Sequence, residues 1–205
     1  KKVAPAKDLA NARLELVDIL HFMLSQCVVH FSAWEPGTTV SNNFENALTN
    51  TALALVNGYI DAHFKPLDHH QQQYWVANPS PSEDVAARAS YLAFVHGVSA
   101  PNQAPPWPAF FMLCRHINFS FEHMYMLYLG KSTLNRFREA NGYKQGTYRK
   151  EWTPGTEDNT HLVEYVDNNY GALSILPVPD AVVALNDWMQ ATYTALTGTP
   201  STPEL

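Results

Sequence analysis

The sequence predicts an all-α protein built as a helical bundle. Apolar residues recur at three- and four-residue intervals in several segments, which is the period of an amphipathic helix. Proline-bearing loops separate these segments, and no run of β-branched residues alternates as a half-buried strand does. The 205 residues are 46% hydrophobic, enough to build a core and too many for a disordered chain. We expect a single helical domain over residues 1–198 and a frayed tail over 199–205.

Three helices are predicted in the N-terminal half. The first covers residues 9–31, where Asp8 is the expected N-cap. The second runs from Phe44 to Phe64, and the third covers residues 83–96 after the helix-breaking stretch NPSPS.

The C-terminal half is also expected to be helical. Residues 109–140 keep a helical, aromatic-rich pattern, with Pro108 in the first turn and Gly142 as the C-cap. Gly130 is expected to kink or divide this stretch, because glycine is a poor helix former. Two shorter helices are predicted, at residues 157–168 and 180–196.

The overall composition argues against two kinds of partner. Charged residues are 16% of the chain, and 19 acidic against 13 basic side chains give a net charge of −6, unfavourable for nucleic acid. The longest apolar runs, 109–114 and 124–129, are far shorter than the about 20 residues of a membrane-spanning helix. Cys27 and Cys114 have no metal-type spacing and are expected to be reduced core residues. We therefore expect an intracellular protein, cytoplasmic, or nuclear or organellar in a eukaryote.

Two carboxylates on the first predicted helix could hold a metal ion. Glu15 and Asp18 are three residues apart, so both leave the same side of the helix about one turn apart. Two like charges this close favour a neutralising cation, and a hard ion such as Mg²⁺ prefers carboxylate oxygens. The alternative is an ordinary solvated face, since Glu164 and Asp167 form a second such pair. The neighbouring His21 is read, on the sequence alone, as a histidine bonded within the core.

A basic segment follows in the C-terminal half. Residues 131–150 hold six basic side chains and one acid, a local balance of +5. Guanidinium and ammonium groups beside a glycine-bearing loop suit a polyphosphate, because they neutralise several oxygens at once. A solvated helix end favoured by the macrodipole would explain Arg136 and Arg138 without any ligand, and nucleic acid is a third interpretation.

Two other features are read as structural. His69 and His70 beside a glutamine run are expected to form a polar loop. The aromatic stripe within residues 110–128 is read as core or subunit interface, with base stacking as an alternative.

Together the acidic pair and the basic segment resemble a known family. ELVDILHFMLS at 15–25 and KSTLNRFREANGYKQGTYRKEWTPGTEDN at 131–159 are similar to the dimeric, all-α dUTPases of kinetoplastids, some bacteria and phages. The resemblance implies a bundle of the all-α nucleoside-triphosphate pyrophosphatase type. It also implies a homodimer and Mg²⁺-dependent hydrolysis of dUTP to dUMP, with dUDP as a further candidate substrate. This reaction limits uracil incorporation into DNA.

The resemblance also implies roles for individual residues. Glu15 and Asp18 match metal-binding carboxylates, and His21 and Phe22 match residues beside the deoxyuridine pocket. Asn135 is expected to help fix the nucleotide. The residues expected to cradle the phosphates are Lys131, Arg138, Tyr143, Lys144, Lys150 and Asn159.

One part of the family pattern is missing. The family has an ExxE pair on an earlier helix, which supplies further metal ligands and the general base. This sequence starts at Lys1, so we expect an incomplete chain with the general base upstream. Two other functions remain open: an inactive dUTPase-like scaffold in a larger assembly, and a pyrophosphatase for another nucleoside triphosphate.

Overall fold

A computed structural model describes residues 6–32, 49–58 and 106–201, with the side chains of the first helix described over residues 9–27. In this part of the chain helices dominate, which confirms the all-α prediction. The helices are α1 (Ala6–Ser32), α2 (residues 49–58), α3 (Trp107–His116), α4 (Phe121–Ala140), α5 (Asp158–Leu173) and α6 (Val178–Thr197). A two-stranded antiparallel hairpin lies between α4 and α5, with β1 (Glu151–Thr153) and β2 (Thr156–Glu157).

Several predicted boundaries differ from those observed. α1 begins at Ala6, so Asp8 lies in the first turn instead of at the N-cap. α5 continues to Leu173 through Gly171, five residues beyond the predicted end. α6 starts at Val178, with Pro177 at the N-cap and Pro179 in the first turn, where proline is tolerated. The predicted helix at 83–96 and the His69–His70 loop lie outside the described residues.

The long helix predicted over 109–140 is divided, but not at Gly130. α3 ends at His116, and Asn118 adopts a left-handed backbone with φ of 52°. Ser120 then caps α4, because its Oγ accepts a hydrogen bond from the His123 backbone N–H at 3.2 Å. Asparagine tolerates positive φ and serine is a favoured N-cap, so the break follows from local residue chemistry.

Gly130 instead allows two helices to pack closely. It lies within α4, where a Cβ would come within 2.9 Å of Leu162 Cδ1 on α5. Leu162 is fully buried, so the missing side chain makes room for it. The glycine therefore brings α5 close to the next residue of α4, Lys131.

The chain forms two compact units, the first comprising Lys1–Asp18 with Ser120–Leu205 and the second Ile19–Phe119. In the first unit α4 packs against both α5 and α6. The buried core of these three helices includes Leu127, Leu134, Leu162, Val166, Leu185 and Met189. The boundary between the units falls within α1, after Asp18.

Aromatic side chains hold the segment before α5 against α4 and α6. The ring of Tyr148 stacks on Tyr193 of α6 with centroids 5.3 Å apart, and Phe137 of α4 meets Tyr193 edge to face at 5.5 Å. Trp152 in β1 is fully buried and lies 5.9 Å from Tyr193. These contacts position residues 148–152, which lead into the hairpin.

The hairpin turn sets the start of α5. Thr153 pairs with Thr156 across Pro154 and Gly155, and Gly155 has φ of +73°. A proline followed by a glycine of positive φ is typical of a type II turn. The turn reverses the chain, so that Glu157, Asp158 and Asn159 follow at the N-terminal end of α5.

The second unit has a separate apolar cluster. It contains the Ile19–Ser32 part of α1, together with α2 and α3. Trp107, Phe110 and Phe111 of α3 are buried with ring centroids 5.4 to 6.2 Å apart. Over the described residues, no helix is long and apolar enough to cross a membrane.

Both cysteines lie in this unit, buried and with free thiols, as the sequence predicted. Burial raises the pKa of the Cys114 thiol to about 12 and also raises that of Cys27. Because the thiolate is the reactive form, both side chains behave as core residues.

Candidate functional site

The acidic pair of α1 faces the basic segment across a pocket in the first unit. The pocket encloses about 400 Å³ and is referred to below as the lysine pocket. α1 and α4 contribute side chains to it, and the rest come from the hairpin region and α5. Its charged lining residues are Glu15, Asp18, Lys131, Lys150 and Glu157, and its amide lining residues are Asn11 and Asn159.

Lys131 is the buried cation of this pocket. Its residue surface is 5% exposed, although an ammonium group is costly to remove from water. Lys131 Nζ donates to Asp18 Oδ2 at 3.1 Å and to Asn159 Oδ1 at 3.2 Å. These two oxygens, from α1 and α5, offset the cost of burial and fix the direction of the side chain.

The two carboxylates of α1 differ in their surroundings. Asp18 is half-buried and pairs with Lys131, whereas Glu15 is exposed and forms no ion pair with any described residue. Both line the lysine pocket, so the sequence-based pairing of these two residues corresponds to a shared site. Within the described residues, no group of three histidine, cysteine or acidic side chains is arranged to hold a metal.

Arg138 is buried and bonded to a carboxylate. Arg138 Nε donates to Asp158 Oδ2 at 2.8 Å, and Nη2 donates to Asp158 Oδ1 at 2.7 Å. Burial works to lower the pKa of Arg138, but the hydrogen bonds and negative charge of Asp158 outweigh it and raise the pKa. Two further bonds run to Asn159 Oδ1 at 3.1 Å and Asn135 Oδ1 at 3.2 Å. The guanidinium therefore has four protein contacts of its own.

Tyr148 and Trp152 complete the polar shell of Asp158. Tyr148 Oη donates to Asp158 Oδ2 at 2.8 Å and accepts from Trp152 Nε1 at 3.0 Å. Burial and the neighbouring Asp158 charge raise the pKa of Tyr148 far above its usual range. The neutral phenol is thus strongly favoured at this position.

The loop cations have separate partners. Lys150 Nζ pairs with Glu157 at 2.8 Å, and both residues line the lysine pocket. Lys144 Nζ pairs with Glu139 at 2.8 Å on an exposed surface, and Lys144 does not contribute to the described lining of the pocket. Tyr143 is about half exposed, with its ring centroid 6.0 Å from the Arg138 guanidinium carbon.

His21 and Phe22 lie on the part of α1 that belongs to the second unit. His21 is half-buried, and its backbone carbonyl accepts a hydrogen bond from Ser25 Oγ at 2.9 Å. Phe22 is 75% exposed.

The second acidic pair of the sequence is used differently from the first. Glu164 and Asp167 line a neighbouring pocket, also of about 400 Å³. Asp167 Oδ1 lies 2.7 Å from His123 Nε2, and its Oδ2 lies 3.7 Å from Arg13. The two pairs share a spacing but differ in their neighbours, which spacing alone cannot reveal.

Sequence reasoning missed Glu157 and Asp158. Both stand beside Asn159 in the tripeptide EDN, yet the family resemblance implies a role for Asn159 alone. The signal that points to them is this run of three hydrogen-bonding side chains at a predicted helix start. The hairpin places all three beside cations. Glu157 pairs with Lys150 and Asp158 pairs with Arg138, while Asn159 accepts from both Lys131 and Arg138.

Comparison with known proteins supports one family. A family model described as dUTPase matches residues 1–143, well over half of the chain. The matched range contains Glu15, Asp18, Lys131 and Arg138 and ends before Lys144. No curated protein and no solved structure matches the chain. Because the match covers more than half of the chain, and because the observed architecture is helical, the chain belongs to the all-α dUTPase family.

Proposed function

We propose that the protein hydrolyses dUTP to dUMP and pyrophosphate in a Mg²⁺-dependent reaction, with dUDP as a second substrate. Membership of the dUTPase family supports dUTP hydrolysis in general terms. The observation that carries the proposal is Lys131, a buried ammonium held at the lysine pocket between the acidic helix and Asn159.

The charge of the lysine pocket favours a cation together with the nucleotide. Two lysines and three carboxylates line it, and each lysine is already paired with one of those carboxylates. A triphosphate would bring further negative charge to this site. A divalent cation on the carboxylates would offset that charge and release Lys131 from Asp18.

Glu15 and Asp18 fit such an ion. Mg²⁺ is commonly bound by one or two carboxylates, with substrate phosphates and water completing its six ligands. In the described residues no third acidic, cysteine or histidine side chain is arranged with the pair to hold a metal, so substrate and water would supply the other ligands. When bound, Mg²⁺ would polarise the phosphoryl group and favour an attacking water.

The side chains of the lysine pocket would bind the phosphates and stabilise the charge that develops on them. Lys131 and Lys150 would contact phosphate oxygens and offset the charge that develops as the bond to pyrophosphate breaks. Asn159 would orient Lys131. From the family resemblance we also propose nucleotide contacts for His21, Phe22, Asn135, Tyr143 and Lys144.

The direct test is release of pyrophosphate from dUTP by the full-length protein, with Mg²⁺ and with excess chelator. We expect release only with Mg²⁺, and a reduction of about 100-fold in kcat for Glu15→Ala. Glu164→Ala is the matched control, since Glu164 is also an exposed glutamate three residues before an aspartate. An active protein in which Glu15→Ala and Glu164→Ala both match the parent would contradict the proposed site.

Two alternatives predict different outcomes. A scaffold that has lost catalysis should show no Mg²⁺-dependent rise in Tm with a non-hydrolysable dUTP analogue, whereas an enzyme should. A pyrophosphatase for another base should hydrolyse dCTP or dTTP with a higher kcat/KM than dUTP.

A further inference from the structure

We propose that Asp158 is a positioning residue: through Arg138 and Asn159, it fixes the place of the Lys131 ammonium in the lysine pocket. This inference rests on the proposed function, in which Lys131 contacts the phosphates. It adds a role for Arg138, which supports the pocket from behind through Asn159, to the phosphate contact that the family resemblance implies.

The carboxylate of Asp158 is fully occupied by protein donors. Asp158 is 0% exposed. Its Oδ1 accepts from Arg138 Nη2 and from the Asn159 backbone N–H, both at 2.7 Å. Its Oδ2 accepts from Arg138 Nε and from Tyr148 Oη, both at 2.8 Å. Four donors use the about four lone-pair positions of a carboxylate, so none remains for a metal or a nucleotide.

Asn159 connects this buried carboxylate to the pocket. Asp158 holds the Asn159 backbone N–H, and Arg138 Nη2 holds Asn159 Oδ1 at 3.1 Å. The same Oδ1 accepts from Lys131 Nζ at 3.2 Å. Because this one oxygen accepts from two cations, the side-chain amide of Asn159 is oriented with its oxygen toward both. Asn159 Oδ1 therefore has a defined position as an acceptor for Lys131.

Arg138 is held mainly by protein partners. Its guanidinium is buried and forms a bidentate pair with Asp158 through Nε and Nη2. Breaking that pair would leave the fully buried Asp158 without its counter-ion, so a substrate could reach only Nη1, which donates to Asn135. The geometry therefore assigns Nε and Nη2 of Arg138 to Asp158 and Asn159, whereas Lys131 and Lys150 line the pocket itself.

A buried ion pair could instead serve only to stabilise the fold, so the test must separate the two roles. The experiment is a double-mutant cycle of Asp158→Asn and Asn159→Ala in the full-length protein, with kcat/KM for dUTP and Tm measured for each variant. If Asp158 acts through Asn159, each single variant loses about 10- to 100-fold in kcat/KM. The double variant is then no slower than the slower single variant. Losses that multiply would overturn the inference.

Asp158→Asn leaves Arg138 without a buried counter-ion and can fail to fold, so a milder variant is included. Tyr148→Phe removes one donor to Asp158 and keeps the ring stacked on Tyr193. We expect a folded protein whose kcat/KM falls in the parent background and is unchanged in the Asn159→Ala background. A lower Tm with kcat/KM equal to that of the parent would show a purely structural role and overturn the inference.

One further variant separates this inference from the proposed function. Lys131→Met removes the ammonium and keeps the length of the side chain. If it retains the parent's activity, the proposed use of the lysine pocket fails, and the inference fails with it. If it is inactive while the Asp158 and Asn159 losses multiply, only the inference fails.

Discussion

Glu157 offsets the positive charge of Lys150 in the lysine pocket. Its carboxylate lies 2.8 Å from Lys150 Nζ, and both groups are about half exposed. Such a pair contributes little to stability, since water screens it. The ion pair affects substrate binding instead, because Glu157 competes with an anionic substrate for Lys150.

We predict that Glu157→Gln binds dUTP more tightly at low ionic strength. Removal of one negative charge frees Lys150, and an exposed pair of this kind is worth up to about 1 kcal/mol, or about fivefold in KM. Glu122→Gln removes an exposed charge from the first turn of α4 and serves as the control. The difference in KM should shrink in high salt. A higher KM for Glu157→Gln than for Glu122→Gln would contradict this explanation.

Tyr148 makes the stability of the protein sensitive to alkaline pH. Its pKa is raised in the folded state, by burial first and then by Asp158, so its stabilising effect is complete below the unfolded pKa of about 10. Above that pH the unfolded tyrosine loses its proton while the folded one keeps it. The free energy of unfolding should then fall by about 1.4 kcal/mol per pH unit from this residue.

The measurement is urea-induced unfolding at a series of pH values from about 8.5 to about 11, which spans the ordinary tyrosine pKa. Tyr148→Phe should be less stable than the parent at the lowest pH, through the lost hydrogen bonds, but should lose less stability as the pH rises. Equal slopes for the parent and Tyr148→Phe would show that the phenol titrates normally.

At the scale of elements, the hairpin and the start of α5 organise the site. The Pro154–Gly155 turn brings β2 back along β1, and the Asp158 backbone N–H bonds to the Lys150 carbonyl at 3.0 Å. Consecutive residues at the start of α5 then face three cations. Rigid placement of this kind is what a binding site requires, and here it comes from a short hairpin and one helix end.

Two helical glycines should respond oppositely to alanine. At Gly58 in α2 an added Cβ would collide with Trp107 Cβ, an atom close to the backbone that cannot move freely. Overpacking of this kind costs about 1–3 kcal/mol, more than the roughly 1 kcal/mol that alanine adds in helix propensity. Gly58→Ala should therefore lower the free energy of unfolding.

Gly171 in α5 is the matched control, because an alanine methyl group there would meet no atom within 4 Å. Gly171→Ala should be neutral or stabilising by up to about 1 kcal/mol. Chemical denaturation of both variants provides the comparison. A stabilised Gly58→Ala protein would show that α2 and α3 are not packed as described.

At the scale of the whole molecule, α1 is common to both compact units. Ala6–Asp18 belongs to the first and Ile19–Ser32 to the second, so the boundary falls inside a continuous helix. The single domain expected over residues 1–198 stays a prediction. If it holds, differential scanning calorimetry should show one transition whose calorimetric and van't Hoff enthalpies agree. Two resolved transitions would indicate that each unit unfolds separately.

The homodimer also stays a prediction, based on the family resemblance. Sedimentation equilibrium at micromolar concentration should then give twice the mass of one full-length chain, of which these 205 residues account for 23.0 kDa. A monomer that still hydrolyses dUTP would show that dimerisation is not required for the site.

The sequence by itself determined the helical class, the positions of α1, α5 and α6 to within a few residues, and the two regions that form the lysine pocket. These follow from local signals: the helical period, proline and glycine positions, and carboxylates spaced one turn apart. Expected roles for His21, Phe22 and the upstream general base rest on resemblance and stay predictions.

Only the tertiary structure determined which charged side chains pair with each other. Arg138 and Lys131 share one helix face in the sequence pattern, yet Arg138 pairs with buried Asp158 and Lys131 reaches Asp18, 113 residues away. Glu15 and Glu164 have the same spacing to an aspartate, but only the first pair lies beside Lys131. Partner choice depends on burial and on contacts between distant segments, because a buried charge must find its counter-ion wherever the fold places one. The helical period of the sequence predicts which face of a helix a residue occupies, whereas tertiary packing determines which side chains lie opposite it.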